Sequence, residues 1–187
     1  MAQLAEPTAQ MYEELSGELH ELSRAWSYVH GMTRNLFGTD TFRRAAAPYF
    51  DVVLRALFQY GVVLLSRLLD RAQTGCRENC SLAALARSAG SAEHAASLDE
   101  IRIRASNLLE YRNKQVAHLD RMLMLQADEE RPQLFTWVGM HETLQALQRW
   151  LNKFEAAMGL DQERYLVEEE WSDVDEVAQL LRKGMSA

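Results

Sequence analysis

The chain has 187 residues, of which 48% are hydrophobic and 25% charged, and a formal net charge of −7. That length suits one domain with a real core, and that composition excludes extended disorder. The acidic balance argues against a generic nucleic-acid binder, which gains affinity from a basic face; an acidic molecule can still carry a local positive cleft, so RNA survives as a substrate, and DNA is not expected.

With 3 Pro, 9 Gly and almost no alternating apolar and polar pattern, the chain reads as all-α, a single helical domain over 1–187. The N-terminus "MAQLAEPTAQMYEELSGEL" has acidic residues and no apolar core behind a basic start, so no secretory signal is expected and a cytoplasmic location follows. In the first helix Leu15, Leu19, Leu22, Trp26, Val29, Thr33 and Leu36 step by four and three, an apolar stripe that Gly38 closes. A second long helix, from near Pro48 to about Asp70, is apolar on most sides and should be central; Arg55, Gln59 and Arg67 count against a membrane span. The stretch "RAQTGCREN" reads as a polar loop. Its Cys76, with Cys80 beyond it, lacks a second Cys/His pair at zinc spacing, so reduced thiols and no metal are expected.

Ser81 is a good N-cap for the short helix "LAALARSA", which Gly90 ends. A fourth helix is expected from Leu98 or Asp99, and "QADEERPQ" with Pro132 reads as a loop. A fifth helix spans roughly Gly139 to Met158, with Leu144, Leu147, Leu151 and Phe154 inward and Gly159 as its stop. Residues 160–187 form a possible C-terminal helical extension, with Ser172 and Asp175 as a variant capping box.

The fourth helix carries the chemistry. Its stretch "YRNKQVAHLD" covers residues 111–120, and at about 100° per residue Ile101, Ala105, Leu108, Arg112, Val116 and Leu119 share one side. Arg112 therefore stands in the apolar stripe, where a guanidinium needs a carboxylate, a partner chain or an anionic ligand, or must snorkel outward. His118 lies about 9 Å further along and about 120° around a straight helix, so the two side chains cannot converge on one atom. Either the helix ends or kinks between them, or a second subunit completes the site across a two-fold axis.

Spacing alone carries little weight, because an arginine followed by a histidine with four to six residues between them also occurs as Arg24 with His30 and Arg87 with His94. The surroundings distinguish the third pair. Tyr111, Arg112, Asn113, Lys114, Ala117, His118 and Asp120 together resemble the signature of the HEPN superfamily, and residues 65–82, "LSRLLDRAQTGCRENCSL", are similar to its abortive-infection branch. The resemblance spans about residues 10–160. It implies an HEPN-like helical bundle and a metal-independent endoribonuclease of a bacterial toxin or antiphage type. Such an enzyme acts as a homodimer, needs no cofactor, and has an antitoxin or operon-encoded protein as a further possible partner.

Arg112, His118 and Asn113 would then be catalytic, with Tyr111, Lys114 and Asp120 in support. Histidine titrates near neutrality and arginine offers a rigid fork of donors to phosphate. Asp120 fits equally an orienting partner for the His118 imidazole or a cap of the next turn. One departure is clear: family toxins silenced by nucleotidyl transfer carry a tyrosine two residues after the histidine, where this chain has Asp120. Two other readings stay open, a noncatalytic bundle binding RNA, a nucleotide or a protein, and a purely structural subunit. In the structural subunit another chain plugs the residues around Arg112; in the plainest reading of the motif Arg112 and Lys114 pair with carboxylates, His118 is a satisfied helix-end histidine and Tyr111 is packing.

Overall fold

The computed structural model describes residues 4–35, 47–113 and 137–160, together with 176, 177, 179–181, 183 and 184. Among them the chain is an all-α bundle whose one sheet is a two-residue ribbon. They fall into two compact units, one drawn from Met1–His20 and Val62–Arg164, the other from Glu21–Gly61 and Tyr165–Ala187.

Helix α1, Glu6–Asn35, begins with an acidic residue at the positive end of the helix dipole and with Pro7 in its first turn, where a missing N–H costs nothing. Its stripe is the one read from sequence: Leu15, Leu19, Leu22, Trp26 and Val29 are buried. Leu36 and Gly38 lie outside the described residues.

Helix α2, Ala47–Leu68, meets the expected bounds within two residues but only half meets the expectation of a central helix. From Val62 onward it is core, with Val62, Leu65 and Leu68 fully buried, whereas Tyr49 and Val52 are each 64% exposed. Composition cannot register this difference, because both halves are equally apolar and only packing tells them apart. By length and composition the segment Pro48–Leu68 could cross a membrane, with a mean hydropathy of 1.3 and a third of its window buried. Its charges are paired, Arg55 with Asp51 and Arg67 with Glu18.

The expected polar loop contains an antiparallel ribbon, β1 (Gln73–Thr74) on β2 (Arg77–Glu78), turning through Gly75 at φ +62°. Two residues a side cannot hold themselves together. Asn79 fastens the ribbon, its side-chain amide donating to Arg71 O at 2.7 Å and to Thr74 Oγ1 at 2.8 Å.

Helix α3, Leu82–Ser88, starts as expected: Ser81 is extended and its Oγ accepts from Ala84 N at 3.3 Å. At its other end Gly90 (φ +70°) donates to Arg87 O and Ser91 N–H reaches back to Ala86 O, the paired bonds of a Schellman cap. Helix α4, Ala92–Arg104, begins about six residues before the expected start. The apolar stripe starts only at Leu98, but Ala92, Glu93, Ala95 and Ala96 are helix formers that prolong the helix backward. Ser91 stands at the N-cap, where its hydroxyl meets His94 Nδ1 at 2.6 Å instead of a backbone N–H. A short helix α5, Ser106–Tyr111, follows a distortion at Ala105 that the bonds Ala105 N to Ile101 O and Leu109 N to Ala105 O span.

Helix α6, Trp137–Met158, contains the expected inward set: Leu144, Leu147, Leu151 and Phe154 are fully buried. Gly159 (φ +67°) ends it, with Leu160 N–H donating to Glu155 O at 3.0 Å. The described tail residues are helical; Ser172 and Asp175 lie outside them.

The first unit is held by α4 packing on both α3 and α6. Trp150 stacks on Phe154 with ring centroids 5.4 Å apart, and the His94 ring stands edge-on to both. Trp150 Nε1 donates to His94 O at 2.9 Å, fixing the register of α4 on α6. Two further bonds tie in the start of α1: Thr8 Oγ1 to Ser88 Oγ at 2.6 Å, and Tyr12 Oη donating to the buried carboxylate of Glu155 at 2.9 Å.

Candidate functional site

The chain reaches the "YRN" of the candidate motif through α4 and α5, whose buried stripe Ile101, Ala105 and Leu108 matches the sequence expectation. Regular helix geometry ends there. Arg112 N–H is shared between Leu108 O and Leu109 O, and Arg112 with Asn113 forms a π turn. The backbone of Arg112 is still α-helical (φ −55°, ψ −48°) and its N–H still reaches Leu108, four residues back on the buried stripe; the residue is half-exposed, as a guanidinium snorkelling outward from that stripe would be. Its Nη1 donates to Asn113 Oδ1 at 2.9 Å, and no carboxylate pairs with it among the described residues. Tyr111 is half-buried and Asn113 exposed. Lys114, His118 and Asp120 lie outside the described residues, as do Val116, Ala117 and Leu119.

Both residues of the second Arg–His pair are accounted for structurally. Arg87 reaches Glu78 at 3.3 Å, and His94 is buried against Trp150 and Phe154. In the first pair, Arg24 bonds both oxygens of Glu21, at 2.8 and 2.7 Å.

Sequence reasoning missed a cleft between α4 and α6. One cavity of about 280 Å³ is lined by His94, Arg104, Arg149 and Lys153 among others, and an adjoining one of about 470 Å³ shares Arg104 and Arg149 with it. A signal existed: Arg149 and Lys153 stand four apart on α6, interleaved with the stripe of Leu147, Leu151 and Phe154. Only the pairing of α6 with α4 brings Arg104 to them.

A third cluster lies where α1 meets the end of α2. Burial pushes the Glu18 carboxyl above its ordinary range; the Arg67 guanidinium opposes that shift and Glu14 adds to it. Burial likewise raises the Cys80 thiol, helped by the charges of Glu18 and Glu14 and opposed by Arg67. A raised thiol is a poor nucleophile at neutral pH. Neither Cys76 nor Cys80 is in a disulfide, and among the described residues no three His, Cys, Asp or Glu side chains gather as a metal site.

Comparison with protein-family models, with curated proteins and with solved structures finds no match.

Proposed function

We propose that the chain is a metal-independent endoribonuclease of the HEPN type, of the abortive-infection branch, working in the cytoplasm as a homodimer whose two motifs form one composite site. The observation that carries this reading is the π turn at Arg112–Asn113. Such widened turns gather at functional sites, and this one sets a half-exposed guanidinium at a helix end with an amide oxygen beside it. One guanidinium N–H is occupied by Asn113; the others remain to grip a phosphate in the bidentate manner arginine favours.

The chemistry follows from the side chains. Cleavage begins when a base takes the 2′-hydroxyl proton; the 2′-oxygen attacks phosphorus as the bond to the 5′-oxygen breaks, and an acid returns a proton to that leaving oxygen. His118 from one protomer supplies the base and His118 of the other the acid, roles that imidazole can fill in either direction. Arg112 stabilises the extra negative charge on the phosphoryl oxygens, and Asn113 holds Arg112 or the ribose. Tyr111, Lys114 and Asp120 support the pair.

Purified protein in EDTA is expected to cut RNA and leave 2′,3′-cyclic phosphate and 5′-hydroxyl ends. Arg112→Ala and His118→Ala are expected to keep their circular dichroism and lose cleavage by at least about a hundredfold. Cleavage that survives either substitution refutes the assignment. The net charge of −7 favours a second reading, a noncatalytic bundle that binds RNA, a nucleotide or a protein partner. Saturable binding of uncut RNA by the wild-type dimer selects it.

A further inference from the structure

The cleft between α4 and α6 has a feature that packing alone does not require. Arg104, Arg149 and Lys153 line it, all three are exposed, and none forms an ion pair or hydrogen bond among the described residues. Carboxylates stand on the same walls, Glu93 and Glu100 in one cavity and Glu142 in the other, and none of them pairs with a cation there either. Elsewhere in this unit arginines do find acids: Arg67 takes Glu18, Arg87 takes Glu78 and Arg102 takes Asp99. Arg104 and Arg149 border both cavities, so the junction between them collects cationic donors.

His94 supplies a second and independent observation. It is only 9% exposed, lines the same cleft, and has Nδ1 committed to Ser91 Oγ at 2.6 Å. Its Nε2 has no hydrogen-bond partner among the described residues. A buried imidazole held from one side, with the second nitrogen unused, offers a fixed polar contact in the wall of a charged cavity.

We propose that this cleft binds phosphate groups, with Arg104 and Arg149 as the forked donors, Lys153 as a point charge and His94 as a wall contact. Arginine forks match phosphate oxygens, and the junction that Arg104 and Arg149 both border is where two forks can meet one anion. The groove also has a direction. His94 faces Trp150 while Arg104 faces Gly139 and Thr143, so the helices run antiparallel, and the order Lys153, Arg149, Arg104 leads along α4 toward Arg112. Arg112 follows Arg104 by eight residues, across the distortion at Ala105 and along α5. The phosphates belong to an RNA strand led to Arg112 if the nuclease reading holds, on which this part of the inference rests; a free nucleotide would satisfy the same donors.

The test uses the full chain carrying Arg112→Ala, so that RNA stays intact, and follows anisotropy of fluorescein-labelled single-stranded RNA of 4, 8 and 12 nucleotides in EDTA at several salt concentrations. Adding Arg104→Ala, Arg149→Ala and Lys153→Ala together is expected to weaken 12-mer binding by about tenfold or more and to reduce the salt slope by about 2, near 0.7 for each lost phosphate contact. All three side chains are exposed, so the fold should persist; Arg149→Lys, which keeps the charge and loses the fork, gives a smaller loss. Affinity that grows with length assigns an RNA strand, and AMP competing at its own length-independent affinity assigns a nucleotide. Either supports a phosphate site. Unchanged affinity and slope in the triple variant overturn it, as does displacement of RNA by polyglutamate as effective as that by RNA itself. Cleft-dependent binding by wild-type protein that never cuts RNA defeats the nuclease reading alone, whereas cleavage indifferent to the triple variant defeats only the path of an RNA strand from the cleft to Arg112.

Discussion

The ion pair between Glu18 and Arg67 invites the inference that both partners stabilise the fold, and the electrostatics give a different answer. Glu18 is largely buried, its side chain 18% exposed against 57% for Arg67, and its Oε2 is buried without a hydrogen-bond partner among the described residues. Burial raises its pKa above the ordinary 4.5 despite Arg67, so the environment disfavours the carboxylate on balance. Between 4.5 and the raised native value the folded state holds the extra proton. Stability contributed at this site therefore falls as pH rises through that window and stays level above it.

Glu18→Gln keeps the volume and removes the charge, so at pH 7 it is expected to be neutral within about 0.5 kcal/mol or stabilising. Arg67→Met leaves the carboxylate buried and uncompensated. Breaking a fully buried pair this way costs about 3–5 kcal/mol, but Arg67 is more than half exposed and water screens the pair, which brings the expected loss to about 1 kcal/mol. For a chain of this size that lowers Tm by about 2–4 °C. Urea denaturation at pH 7 and pH 4, followed by circular dichroism, measures both. The Arg67→Met deficit should shrink at pH 4, where Glu18 is protonated. Equal losses from the two substitutions at pH 7, or a deficit independent of pH, refute the reasoning.

Further expectations concern neighbouring groups. In a Cys76→Ser background, Glu18→Gln should lower the Cys80 thiol pKa and Arg67→Met raise it, read from the pH dependence of alkylation; a thiol that follows neither change is governed by burial alone. Ser81→Ala removes the one side-chain acceptor at the start of α3 and is expected to cost about 1 kcal/mol in denaturant unfolding, with Ser81→Gly costing only a few tenths.

Much of the fold was legible because it rests on local rules. The stripes of α1 and α6, the Ser81 cap and the Gly90 and Gly159 stops each depend on residues within a turn or two of one another, and each appears as read. The start of α4 was not legible, because its first turn carries little apolar signal and its N-cap serine bonds a histidine in place of the backbone. The exposed half of α2 was hidden for a different reason: hydropathy reports what a helix is made of and not what covers it.

The candidate motif divides in the same way. Its identity as Tyr111, Arg112 and Asn113 beside Lys114, His118 and Asp120 is a property of sequence, and so is the resemblance it carries. The exposure of Arg112 is not, since helical phase places it on the stripe four residues after Leu108 but cannot say that its long side chain reaches outward to Asn113. The cleft is tertiary altogether. Arg104 lies 45 residues before Arg149 in the chain, and the two share a cavity because Trp150 and Phe154 lock α6 against His94 on α4. Sequence determined the apolar stripes, the Ser81 cap and the glycine stops, through contacts a few residues apart; which charged side chains meet was decided by packing between helices, through apolar contacts that do not involve those charges.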